Sequence, residues 1–182
     1  MSTDILSRNF FELFDLPVSY DVDLDQLQKQ YMSLQKVVHP DKFANASDQE
    51  KRVSMQQTSW INEAQTTLKD PVGRAIYMLK LKGIDFSLDN ETTMDAAFLM
   101  QQLEMRERLE SIRNEADPLQ ALDEIARELK LTTGEMMSGF VKSYDEQQFD
   151  DSMEWVRKLQ FMQKAGKEVN DLAAAIEDEL MS

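Results

Sequence analysis

Residues 35–43 read QKVVHPDKF, and they contain the single histidine of a 182-residue chain. A residue that precedes proline is pushed out of the α region, so a helix arriving from the N-terminal side has to stop at His39. Upstream, Leu24, Leu27, Tyr31, Leu34 and Val38 recur at spacings of three and four. That spacing predicts a helix from about Asp23 to Val38 with one buried stripe. Lys29, Ser33 and Lys36 fall on its opposite face. Downstream, Ser47 followed by Glu50 is a capping pair, and it opens a helix predicted to run to Leu68 or Lys69 and to bury Met55, Ile61, Ala64 and Leu68. Trp60 is read as a core residue with Met55 and Ile61. The tripeptide His39-Pro40-Asp41 is therefore carried on a loop between two helices.

Working outward, Asn9 and Glu12 cap a short helix that stops before Pro17, with FFELF (10–14) as its apolar body. Asp70-Pro71 starts a further turn into VGRAIYMLKLKG. Five Gly and four Pro among many Leu, Met, Gln, Glu, Lys and Ala describe helices with few breaks, so the expected fold is all-α. There is no Cys, which removes disulfides, thiol nucleophiles and cysteine-held clusters. One His without Cys is a poor ligand set for zinc, so no metal or other cofactor is expected. No apolar run exceeds five residues, Ala96–Met100 among them, which is too short for a signal peptide or a membrane span. A cytoplasmic protein is the expectation.

The charge divides the chain. Residues 1–80 carry 9 basic and 11 acidic side chains, whereas residues 81–182 carry 11 and 23. So acidic a second half argues against nucleic acid and anionic membranes, both of which require clustered Lys and Arg. The stretch GIDFSLDNETT (83–93) is rich in turn formers and is read as the joint. The expected domains are a disordered tail over 1–8, a first domain over 9–82, a linker over 83–92 and an acidic bundle over 93–182. Within the bundle, one helix is predicted for about 93–115, a second opening at Asp117-Pro118, and a last from about Asp150 to Leu180, where Trp155, Met162, Val169 and Ile176 recur every seventh residue as a bundle seam. Thr132-Thr133-Gly134 is a candidate kink in the middle helix.

The helix around AAFLMQQLEMRERLESI (96–112) has two apolar rows at 100° per residue. Phe98, Met105, Leu109 and Ile112 form the core stripe, while Leu99, Met100 and Leu103 fall on the far side with Glu104 and Glu107. Phe161 likewise lies off the seam of the last helix. An apolar row flanked by carboxylates either packs against another part of the chain or receives a partner.

His39 has three readings. General-base chemistry requires a cleft and a group that orients the second ring nitrogen, and an exposed loop offers neither. A histidine at a helix C-terminus is otherwise an ordinary surface residue. The third reading comes from the surroundings: HPDKF after a Leu/Tyr stripe, then INEA (61–64), LKDP (68–71) and RAIY (74–77), closely resembles the J-domain of Hsp70 co-chaperones over residues 9–80. The resemblance implies that His39, Pro40 and Asp41 dock on an Hsp70 and trigger its ATP hydrolysis, with Lys29, Lys36 and Lys42 as a positive patch that steers association. Adding FELFDLP (11–17), FLMQQLEMRE (98–107) and VRKLQF (156–161), nearly the whole chain is similar to the HscB family of iron–sulfur cluster assembly, in its bacterial form without the N-terminal cysteine-pair extension of eukaryotic members.

That second resemblance implies a J-domain helical hairpin joined to a three-helix bundle. It implies no catalytic residue in this chain and two partners, an HscA-type Hsp70 and an IscU-type cluster scaffold, the latter held through Leu99, Met100, Leu103, Glu104, Glu107 and Phe161. Two positions depart from the family's pattern. Asp15 stands where glycine is common before Leu-Pro, and Ser111 stands where another acid of the scaffold-binding face is expected. Competing expectations are a general co-chaperone for unfolded chains, a small-substrate enzyme using His39 and Asp41, and a structural helical oligomer.

Overall fold

The computed structural model describes residues 5–43, 46–86 and 95–181. Every regular element among them is helical, in seven α-helices with short 3-10 turns between. The chain forms two compact units, Met1–Ile84 and Asp85–Ser182. No helix among the described residues is long and apolar enough to cross a membrane.

In the first unit, α1 (Phe10–Leu13) opens with the reciprocal Asn9/Glu12 capping box. Phe10, Phe11 and Leu13 of the helix and Phe14 and Leu16 just after it are all buried, so a seven-residue stretch brings five large apolar groups to the core. The ring of Phe10 stacks on Tyr77 at 4.2 Å and meets Trp60 edge-on at 4.9 Å, and its N–H donates to the Tyr77 hydroxyl at 3.0 Å. Burying each such ring is worth about 1.5–3 kcal/mol, so these contacts rather than helix propensity hold so short an element. Asp15 ends it with φ 52°, a left-handed conformation that favours glycine, and its carbonyl accepts from the Gln26 side chain at 3.1 Å. Residues 5–7, expected within an unstructured tail, form a 3-10 turn, whereas residues 1–4 lie outside the described residues.

Helix α2 (Leu24–Val38), capped by Asp23, runs antiparallel to α3 (Asp48–Lys69), capped by the Ser47/Glu50 box. Two expected core positions are corrected. Leu24, in the first turn of α2, is exposed, and Met55 on α3 is 63% exposed. The buried row of α3 is Ser54, Gln57, Ile61, Ala64 and Leu68, so two polar residues occupy the turns where Met55 was expected. Pro71 starts α4 (Pro71–Leu81), whose Arg74 is buried. Its guanidinium donates to the carbonyls of Leu68 at 2.8 Å and Tyr20 at 2.6 Å and lies over the Tyr20 ring. Burial without full hydration is tolerable there because both acceptors are preplaced main-chain oxygens.

Gly83, at φ 78°, turns the chain out of α4 while Ile84 donates back to Leu79. On the other side of the division, the Arg157 guanidinium covers the Phe86 ring at 5.1 Å. Ile84 and Phe86 are thus each tied into a unit, at positions expected to be linker; residues 87–92 of that expected linker are outside the described residues.

In the second unit, α5 (Ala96–Ser111) continues into a 3-10 turn (Ile112–Asn114), and α6 (Pro118–Asp145) and α7 (Phe149–Leu180) form an antiparallel hairpin. Helix α6 is continuous across Thr132-Thr133-Gly134, against the expected kink, because burial of Leu129 and Met136 on one side keeps the turn in register. The seam holds at Met162, Val169 and Ile176, while Trp155 is half-buried and Val156 and Leu159 take the core. Trp155 lies directly against Gly139, where a Cβ would stand 2.5 Å from its Cε2. Asp95 caps α5 and pairs with Lys158 at 2.6 Å, and Arg113 pairs with Glu179, so α5 runs parallel to α7.

Candidate functional site

Two surfaces, one on each unit, gather the residues singled out in the sequence. The first is the end of α2. His39 leaves the helix at φ −53° and ψ 129°, the extended geometry that a following proline imposes, and its N–H still bonds to Gln35 at 3.0 Å. The loop is not irregular: Pro40–Phe43 forms a 3-10 turn closed by the Lys42 N–H on the His39 carbonyl at 3.0 Å. The Asp41 N–H donates to His39 Nδ1 at 3.3 Å, and the Asp41 carboxylate is 3.6 Å from the same nitrogen. The expectation that nothing orients the second ring nitrogen is therefore corrected. The main-chain amide of Asp41 orients the ring by donating to Nδ1.

Both side chains remain open to solvent, at 53% for His39 and 91% for Asp41, while Pro40 is half-buried. Lys29, Lys36 and Lys42 are exposed as expected. Two exposed apolar side chains, Met32 and Val37, share the lysine face of α2. The spacing of the charged and hydroxyl positions on that face does not single them out. A helical wheel marks both.

Behind the loop, α3 presents Ser54, Thr58 and Asn62 at successive turns toward α2. The buried Ser54 hydroxyl donates to the Val38 carbonyl at 2.6 Å and Thr58 reaches the same oxygen at 3.4 Å. Asn62 Oδ1 accepts from the Tyr31 hydroxyl at 3.0 Å and from Gln35 at 2.6 Å. These bonds fix the register of α2 on α3, which apolar contact leaves loose.

The second surface lies on the bundle. Phe98, Met105 and Leu109 are buried, whereas Leu99 is 39% exposed, Leu103 58% and Met100 64%. Phe161 is half-buried, its ring edge-on to Phe98 at 5.8 Å. Leu99, Leu103 and Phe161 line one groove of about 490 Å³ between α5 and α7, with Arg106, Lys164, Ala165 and Glu168 at its sides. The structure brings together three of the six residues expected on this face. Glu104 lines the cleft on the other side of α5, beside Arg108 and Glu128, and Met100 and Glu107 stand exposed on the ridge between. Arg106 and Lys164 were not anticipated, since a lysine on a solvated helix carries no distinguishing pattern until the groove is formed. Ser111, the position without the expected acid, returns its hydroxyl to the Arg108 carbonyl at 3.1 Å.

The comparisons with known proteins follow the same division. Residues 10–77 match the DnaJ domain, and residues 94–170 match the HSCB C-terminal oligomerisation domain. The chain is 40% identical over 176 residues to the co-chaperone protein HscB homolog of Shewanella baltica (strain OS195), covering 95% of this chain and 99% of that one, and 43% identical over 178 residues to that of Shewanella sp. (strain MR-4), with the same coverage. Among solved structures, chaperone HscB from Vibrio cholerae superposes with a TM-score of 0.84 at 36% identity over 95% of this chain and 99% of that one. The human co-chaperone protein HscB gives 0.80 at 30% identity, covering 90% and 81%. With a J-domain at its N-terminal end, a helical C-terminal unit and full-length identity of this order, the chain belongs to the HscB family of co-chaperones.

Proposed function

We propose that this protein is an adaptor that carries an IscU-type iron–sulfur scaffold to an HscA-type Hsp70 and stimulates ATP hydrolysis by that partner, promoting cluster assembly and transfer. The observation that carries the reading is the groove on the bundle: Leu99, Leu103 and Phe161 line it together, and both leucines stay open to solvent, on a unit with a strong excess of acidic side chains. An apolar groove of that kind suits a partner's apolar side chains. Met100 and Glu107, on the ridge beside the groove, extend the contact, and Glu104 acts beyond that ridge from the adjoining cleft.

At the other surface, the turn at His39, Pro40 and Asp41 docks on the Hsp70. Pro40 and the Lys42 bond to the His39 carbonyl preform the turn, so little entropy is lost on docking. Ionised Asp41 is an acceptor suited to an arginine of the partner. Lys29, Lys36 and Lys42 accelerate the encounter with an acidic surface. No bond is made or broken by this chain; the nucleotide and the cluster belong to the partners. Tethering the scaffold raises its concentration at the Hsp70, so the two stimulators together should exceed either alone.

The test is steady-state ATPase of the Hsp70 with this protein and the scaffold added singly and together. Synergy in the wild type, loss with His39→Gln, and a right-shifted titration that still reaches full rate with Leu99→Ala/Phe161→Ala support the adaptor. An active Hsp70 that the wild type does not stimulate removes it.

A second reading is self-association through the bundle, which the match of residues 94–170 to the HSCB C-terminal oligomerisation domain favours. Against it stands the charge of residues 81–182, 11 basic against 23 acidic, which opposes bringing two such units together. Sedimentation velocity over a hundredfold concentration range separates the two.

A further inference from the structure

The groove between α5 and α7 carries a charge pattern that the apolar row alone does not explain. In a unit with twice as many acidic as basic side chains, two cations, Arg106 and Lys164, stand at its sides. Arg106 is engaged by Glu110 at 3.2 Å, in a pair exposed enough to be worth little. Lys164 has no ion pair or hydrogen bond among the described residues, although Glu168 lines the same groove one turn along α7. The exposed acids Glu104 and Glu107 lie away from it, on the other side of Leu103. From the far side of α5 across to α7, the surface therefore runs from Glu104 and Glu107 through the apolar row to Arg106 and Lys164, with Glu110 and Glu168 interleaved among the cations.

Resting on the reading above, that the groove receives the scaffold, we infer that the segment it takes is apolar with a carboxylate placed against Lys164 and Arg106, and that this charge gradient sets the direction in which the scaffold sits. Apolar contact supplies affinity but no polarity, because a row of leucines accepts a segment either way round. A cation on one bank and carboxylates on the other break that degeneracy: the reversed pose sets the partner's carboxylate against Glu104 and Glu107, and like-charge juxtaposition is strongly unfavourable. An exposed lysine without an internal partner loses no existing pair on meeting the ligand, so Lys164 is the better of the two cations for the contact.

The experiment measures binding of labelled full-length IscU-type scaffold by fluorescence anisotropy to full-length wild type, Leu103→Ala, Lys164→Gln, Lys164→Glu and Glu107→Lys, at about 50 mM and about 500 mM salt, with thermal melts to confirm that each variant is folded. Lys164→Glu should weaken binding about tenfold at low salt and Lys164→Gln about threefold, both converging on wild type at high salt, whereas Leu103→Ala should weaken binding at both. Exchanging the responsible scaffold carboxylate for lysine should restore affinity toward Lys164→Glu and not toward wild type. Unchanged or tighter binding by Lys164→Glu, with Leu103→Ala impaired, overturns the inference and leaves the groove as the site. Unchanged binding by Leu103→Ala overturns the groove itself.

Discussion

The hydroxyl of Ser54 on α3 donates to the main-chain carbonyl of Val38, the last helical residue of α2, at 2.6 Å in a buried position. This bond lies one residue before His39, so it couples the buried face of α3 to the backbone that presents the loop. Among the described side chains, Ser54→Ala leaves that carbonyl with the longer contact to Thr58. A loss of about 1–3 kcal/mol is expected in urea unfolding. In the Hsp70 ATPase assay the proposed docking predicts that the half-maximal concentration rises while the maximal rate at saturation is kept, because the loop is still present but less often in the pose that the proposal requires. An unfolding midpoint identical to wild type would refute the clamp.

Asp15 occupies left-handed space at φ 52°, where a Cβ is strained. Asp15→Gly relieves the strain and raises the entropy of the unfolded chain, and the first effect is the larger. The expected outcome is a gain of up to about 1 kcal/mol, read as a higher melting temperature. Destabilisation would show instead that the added entropy of the unfolded chain outweighs the strain at this position.

Gly139 is in the middle of α6, where helix propensity alone predicts that alanine stabilises by about 1 kcal/mol. The structure predicts the opposite sign. A Cβ there would stand 2.5 Å from the Trp155 ring, so the indole has to move or the helices must part. Gly139→Ala should cost about 1–3 kcal/mol and shift the tryptophan emission. Stabilisation with an unchanged spectrum would refute the close approach.

Burial raises the Tyr20 phenol to about 12 from an ordinary value of 10.0, with Asp70 adding to the rise and the Arg74 guanidinium opposing it. Burial raises Tyr77 and Tyr144 in the same direction. A phenol whose folded value lies above its unfolded value contributes stability that is complete below pH 10 and is lost as pH rises through its folded value. Thermal stability should therefore fall between about pH 10 and pH 12. Tyr20→Phe should flatten that fall, and an equally steep fall in the variant would assign it to other groups.

The helices of this protein were legible because their signals are local. The Asn9/Glu12 and Ser47/Glu50 capping boxes and the prolines at 40, 71 and 118 act within one turn of themselves and mark where helices start and stop. Local pattern is silent where burial depends on a neighbour distant in sequence. Met55 looked like a core residue from spacing alone, but α2 approaches α3 at Ser54 and Thr58, so the polar row faces inward and the methionine outward. The kink expected at Gly134 failed for the same reason, since packing of Leu129 and Met136 outweighs weak local propensity.

For the candidate sites, the sequence by itself determined the loop: proline forbids α at His39, and its neighbours supply the acid and the lysines, all within a few residues. It also separated two apolar rows on α5, because 100° per residue suffices to place Leu99 and Leu103 off the core stripe. Only the tertiary structure decided that Phe161 joins those two leucines in a groove, that Glu104 turns to a different cleft, and that Arg106 and Lys164 flank the apolar row. Helical periodicity records the direction of a side chain about its own axis, whereas a groove is set by the rotation and offset of two helices against each other, and that offset comes from contacts such as Asp95 with Lys158 and Phe98 with Phe161 between residues some sixty positions apart.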